Sequence, residues 1–222
     1  MFPDIAVGRS RCQDGGVTQA RPYGGVDAAD RLARRRARLL EAGLELLGSN
    51  VDPAELTVRG ICREAGVATR YFYESFADKD TFVGDVFDWV VAGLAATTQA
   101  AVSAAPQAEQ NRAAMANIVR TIEHDLRIGR LMFSSQLSNG AVVRKRQESG
   151  ALFAMLSGQH LESLLHRPAN DRIKAFAHFV VGGVGQTISA WLAGSIGLTA
   201  DELVDQLSAI IDDIAEPRLF RD

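Results

Sequence analysis

Cysteines, an excess charge of either sign and alternating strand patterns are scarce or missing in this sequence. Its 222 residues include two cysteines, Cys12 and Cys62, far apart and with no C-x-x-C pair. His124, His160, His166 and His178 form no close ligand pattern, so neither a disulfide scaffold nor a structural zinc site is expected. Such sparse thiols fit a reducing cytoplasm. Net charge is −3, and residues 1–83 hold as many acids as bases, so bulk charge advertises no polyanionic partner. The first 27 residues lack the apolar middle of a signal peptide. With Gly8, Gly15, Gly16, Gly24 and Gly25 among scattered Arg and Asp, they read as a disordered extension.

Two uncharged stretches, 89–108 and 175–200, raise the question of a membrane. Thr97, Thr98, Gln99, Ser103 and Pro106 make the first too polar to span. His178, Gln186, Thr187 and Ser189 interrupt the second, which reads as a helix covered by protein. Catalytic signatures are missing as well. There is no H-E-x-x-H, no Ser/His/Asp order with a local signature and no phosphate-cradling loop after a strand; GGVGQ at 182–186 lies within a helical pattern. No enzyme and no cofactor are expected.

What remains is apolar residues at three- and four-residue steps along nearly the whole chain, an all-α pattern of about nine helices. The first spans about 28–49, with Leu32, Leu39, Leu40, Gly43, Leu46 and Leu47 in its stripe, and Asn50, Asp52 and Pro53 beyond its end. A short helix over 58–65 has Thr57 as N-cap, Leu56 and Ile61 as a hydrophobic staple and Gly66 as its left-handed stop. Another covers 68–74, and Asp78 caps a long one from 79 to about 103, which Pro106 ends. Five more are expected at 108–124, 127–137, 140–166, 170–195 and 200–215, the last opened by a Thr199–Glu202 capping box.

Residues 56–82, LTVRGICREAGVATRYFYESFADKDTF, concentrate the chemistry. Ile61, Ala65, Val67, Phe72 and Phe76 can close a small core between two short helices meeting at a glycine turn, the construction of a helix-turn-helix. The second helix then presents Thr69, Arg70, Tyr71 and Tyr73 to a major groove. Arg70 can fork onto guanine O6 and N7, and Thr69 and Tyr71 can bond bases or pack on a thymine methyl. Tyr73, Lys79 and the helix start at Thr57 can hold phosphates, and Arg59 can reach a phosphate or a guanine.

The order T-V-R-G-I-C-R-E-A-G-V, then Y-F-Y-E-S-F-A-D-K-D, resembles the N-terminal signature of the TetR family of bacterial transcriptional regulators, and RLLEAGLELL upstream resembles that family's first helix. The motif covers about residues 31–85. The resemblance implies base reading by Thr69, Arg70 and Tyr71, with Arg59 also a base contact in some members, and backbone contacts from Thr57, Tyr73 and Lys79. Arg34 and Arg35, in the arginine run beside the motif, are expected to add phosphate contacts. Three departures stand out: Ala68 replaces a capping Ser or Thr, Gly60 interrupts a helix at a cost of about 1 kcal/mol, and acidic Glu74 beside the expected backbone path either weakens DNA binding or needs an arginine neighbour.

The expected layout is an extension at 1–27, a DNA-binding head at 28–83 and an effector-binding, dimerising body at 84–222. Two copies are needed to span about one DNA turn. Phe179, Gly183, Gln186, Thr187 and Ala190, with Leu203, Leu207 and Ile210 on the last helix, are the candidate two-fold interface. The expected partners are pseudo-palindromic operator DNA, a second copy and a small effector, with no membrane. Met115, Ile118, Val119, Ile122, Met132, Phe133 and Phe153 suit an apolar effector, though core packing explains most of them, and no ligand residue is assigned. The expected function is a cytoplasmic, sequence-specific transcriptional regulator, a repressor released by its effector. The alternative is a helical dimeric partner-binding module whose head no longer binds DNA.

Overall fold

The computed structural model of the chain describes residues 25–49, 56–134, 140–166, 168, 170–215 and 217–220. These form nine α-helices: α1 (Gly25–Gly48), α2 (Val58–Ala65), α3 (Thr69–Tyr73), α4 (Lys79–Ala104), α5 (Gln110–His124), α6 (Leu126–Phe133), α7 (Gly140–Leu165), α8 (Asp171–Leu192) and α9 (Ala200–Ile214). No strand occurs among the described residues. The expected helices are all present, with differences at their ends. The first begins at Gly25 rather than Ala28, so the expected boundary at 27 falls inside a helix; residues 1–24 lie outside the described residues. Residues 107–109 form a separate 3-10 turn ahead of α5. The break expected at 50–53 also lies outside the described residues.

The helix ends follow local chemistry. Asp78, Asn170 and Thr199 each accept a first-turn backbone N–H, and the Thr199–Glu202 capping box is complete. α1 buries Leu39, Leu40, Leu44 and Leu47 against α2, α4 and α6, whereas Leu32, expected in the same stripe, is exposed. α4 is the spine. Its first half buries Phe82, Val83, Val86, Phe87, Val90 and Val91 in the core shared with the head, and its later turns pack on α5. A second core joins Met115, Val119 and Ile122 of α5 to Ile188 of α8 and Leu203, Val204, Leu207 and Ile211 of α9.

By length and composition alone, α4 and α8 are apolar enough to cross a membrane. In α4, Asp85 and Asp88 are ion-paired to Arg36 and Lys145 of neighbouring helices, and the apolar side of its first half is covered by protein. α8 differs: Ile173, Ala177 and Ile188 are buried, and a separate stretch of its surface lies bare.

Candidate nucleic-acid interface

The turn between α2 and α3 is fixed by backbone chemistry. The Thr57 hydroxyl accepts from Gly60 N–H at 3.1 Å. A Cβ at position 60 would sit 3.1 Å from that hydroxyl oxygen, so the glycine inside α2 makes room for the cap that opens the helix. Gly66 takes φ 61°, a left-handed conformation that costs any residue with a Cβ roughly 1–2 kcal/mol. Gly66 N–H donates to Arg63 C=O at 3.2 Å and Val67 N–H to Cys62 C=O at 2.9 Å, which closes α2 in a Schellman-type end. Ala68 offers no side-chain cap, and α3 accordingly begins at Thr69.

The small core expected beneath this turn is there. Ile61, Ala65, Phe72 and Phe76 are buried and Val67 packs against them. Two members escaped the sequence reading: Cys62, whose thiol burial pushes upward in pKa, and Phe82, the first buried ring of α4. Phe72, Phe76 and Phe82 form a ring cluster with centroids 4.9–5.4 Å apart, so α3 is pinned to the start of α4.

On the outer side, Thr69 and Arg70 are exposed, Tyr73 is 61% exposed and Tyr71 is half-buried. Arg70 Nη2 donates to the Tyr71 hydroxyl at 2.7 Å, and the Arg70 and Arg35 guanidiniums lie 4.7 and 4.1 Å from the centre of the Tyr71 ring. The hydrogen bond from Arg70, then its charge, holds the Tyr71 phenol below its ordinary pKa. The result is a cationic stack, Arg35–Tyr71–Arg70, at the centre of the candidate reading edge. Thr57 and Arg59 are exposed at the start of α2, and Lys79 is half-buried at the start of α4.

The arginine run of α1 divides in a way that spacing could not show. Arg34 is exposed, as a phosphate contact requires. Arg35, expected beside it, turns inward to Tyr71 and to Glu74 at 3.8 Å, supplying the arginine neighbour that Glu74 needs. Arg36 pairs with Asp85 at 2.8 Å, and Arg38 Nη2 donates to Gly66 C=O at 3.1 Å. Three of these arginines therefore build the head. The basic cluster 144–146 of α7 is also partly structural: Lys145 pairs with Asp88 at 2.7 Å, and Arg146 donates to Leu131 C=O at 2.8 Å at the end of α6.

The candidate two-fold face divides too. Phe179 is 69% exposed, Gly183 and Gln186 are exposed, Thr187 and Ala190 are half-buried, and Ile210 is 44% exposed. Leu203 and Leu207, expected in the same interface, are 0% and 4% exposed and belong to the chain's own core. The correction has a physical reason. α9 turns its apolar stripe onto Met115, Val119 and Ile122 of α5, and Asp201, Asp205 and Asp212 meet Arg120, Arg112 and Asn111 along the edge of that contact. The α9 residues left facing outward beside Ile210 are Gln206, Ala209 and Asp213.

No family model matches the sequence, and no curated protein does. Solved structures do match its shape. The fatty acid degradation regulator FadR from Bacillus halodurans superposes with TM-score 0.67 at 13% identity, over 80% of this chain and 94% of that one. FadR from Bacillus subtilis, solved with stearoyl-CoA, gives 0.66 at 14%, over 79% and 96%. A TetR-family transcriptional regulator from Streptomyces coelicolor gives 0.64 at 15%, over 84% and 85%. With these likenesses and the helix order and capped turn described above, the chain has the fold of the TetR-family transcriptional regulators.

Proposed function

We propose that this chain is a sequence-specific, DNA-binding transcriptional regulator, acting in the cytoplasm as a homodimeric repressor. The observation that carries the reading is the Thr69–Arg70–Tyr71 edge, exposed at Thr69 and Arg70 and half-buried at Tyr71, on a helix held by a capped turn and a ring cluster. Arg70 reads a base edge, Thr69 and Tyr71 add base contacts, and Arg59 contributes from α2. Thr57, Tyr73, Lys79 and Arg34 bind phosphates. Arg35 acts through Tyr71, holding its ring in place rather than reaching the duplex.

Phe179, Gly183 and Gln186 on α8, with Gln206, Ala209 and Ile210 on α9, form the surface for a second copy. These six residues are uncharged, with Asp213 at the α9 edge of the surface, and the glycine among them permits close approach. The head runs from the start of α1 at Gly25 to 83, the body follows from 84, and α4 links them. A small, largely apolar effector in the body favours a spacing of the heads that no longer matches the operator. A lipid-like effector is in keeping with the stearoyl-CoA bound to the Bacillus subtilis neighbour. The direct test is in vitro selection from random duplexes with the purified protein. A pseudo-palindrome with half-sites about one turn apart is expected. Recovery of no preferred sequence would favour the partner-binding module instead.

A further inference from the structure

A second candidate site lies in the body, a cleft of about 630 Å³, within the size range of small-molecule pockets. It runs between α4 and α5 and ends at the start of α6. Its apolar lining is Ala101, Ala113 and Ala116, with Ile128 at the α6 end, and the three alanines leave an open trough. Its charges are unequal. Arg120 and His124, one turn apart on α5, are both exposed at the cleft. Arg120 meets Asp201 at 3.2 Å with both side chains more than half exposed, a weak pairing that a bound acid can replace. Asp125 is the one carboxylate in the lining. It is already engaged by Arg127 Nε and Nη2 at 2.9 and 2.7 Å. The cleft therefore offers a ligand one guanidinium and one imidazole that can donate a hydrogen bond, and no unengaged carboxylate in its lining.

We propose that this cleft is the effector site and takes an amphipathic anion, its apolar body on the alanine trough and its acid group held by Arg120 and His124. The binding claim stands on the cleft; its regulatory meaning rests on the regulator reading above. The far end of the cleft leads to the head. Asp125 caps α6, and Arg127 reaches Glu41 and Glu45 of α1 at 3.0 and 2.8 Å. A Cβ on Gly48 would sit 2.7 Å from Arg127 Cα, so the last turn of α1 touches the α6 backbone directly. A ligand that moves Asp125 moves the group that grips α1. Its differential affinity for the two arrangements sets how far the heads shift.

The test uses full-length protein and calorimetry with decanoate, its uncharged match decanol, and anilinonaphthalene sulfonate as an aromatic anion. One site per chain is expected for at least one of the two anions, with decanol about tenfold weaker than decanoate where decanoate binds. Arg120→Gln and His124→Gln, both on the surface, weaken anion binding about tenfold with an unchanged circular dichroism spectrum. Ala113→Phe fills the trough and abolishes binding; the two surface variants decide the matter if that protein does not fold. Binding of neither anion, decanol binding as tight as decanoate, or binding untouched by the surface variants overturns the proposal. Operator binding is measured on the same samples. Operator binding without anion binding sinks the cleft alone, and anion binding at Arg120 and His124 without operator binding sinks the regulator reading alone. Arg127→Gln should keep anion binding and lose its effect on operator release; unchanged release would overturn the coupling to α1.

Discussion

The head and the α8 face are both bare surfaces, and they are bare in opposite ways. Around α3 the apolar residues are packed away, and arginine, threonine and tyrosine point outward over a rigid ring cluster. Along α8 a phenylalanine, two glycines and a glutamine lie open with no charge among them. A polyanion suits the first surface and a second copy of the chain suits the second. A face of little net charge has small desolvation to overcome when it meets its own image. The cationic stack on the head keeps two like charges on one ring and is relieved by phosphate or an electron-rich base edge.

The head is most vulnerable beneath α3. Phe72→Ala removes a fully buried ring from the cluster under α3, and a loss of about 3–5 kcal/mol is expected. Thermal denaturation should show the head melting early; an unchanged melt would mean that the cluster does not hold α3. Next comes the other surface. Phe179→Asp puts a charge at the centre of the α8 face, and analytical ultracentrifugation should find monomer at concentrations where the unaltered chain is dimeric, with helix content kept. Retained dimer would move the interface elsewhere.

Asp125→Ala removes the α6 cap and the main partner of Arg127, a loss of about 1–2 kcal/mol at neutral pH. The Asp125 carboxyl sits below its ordinary pKa, first through its hydrogen bond from Arg127, against the opposing push of burial. A depressed folded value gives stability that is fully present above the unfolded value of about 3.9 and is lost as pH falls through the folded one. Denaturant titrations should therefore show the variant's deficit shrinking below about pH 4; a deficit constant across that range would remove the ionic part of the argument. Smallest is Gly66→Ala, about 1 kcal/mol from the left-handed turn, read from the same titrations.

Legibility in the sequence followed the distance over which each feature is decided. The Thr57 cap, the Gly66 stop, the Asp78 cap and the Thr199 box depend on residues within a few positions, and each was readable. So was the pairing of Phe72 with Phe76, one helical turn apart. The inward turn of Arg35 depends on Tyr71 and Glu74, more than thirty positions away and brought near by the fold. Leu203 and Leu207 failed for a related reason. Periodicity says that α9 has an apolar stripe, and only the neighbour it meets decides whether that stripe serves the chain's own core or a partner. The acids at 201, 205 and 212 opposite Arg120, Arg112 and Asn111 of α5 were the available signal that α5 is that neighbour.

In the proposed function, Arg70 is the side chain that reads sequence on a duplex. The most direct test of that role is a competition assay with the selected operator and with duplexes altered at one base pair of each half-site. Arg70→Ala should lose about 1–3 kcal/mol on the operator and flatten the preference at one position, leaving the salt dependence set by the phosphate contacts largely in place. Equal loss on every duplex, or no loss on any, would contradict the account.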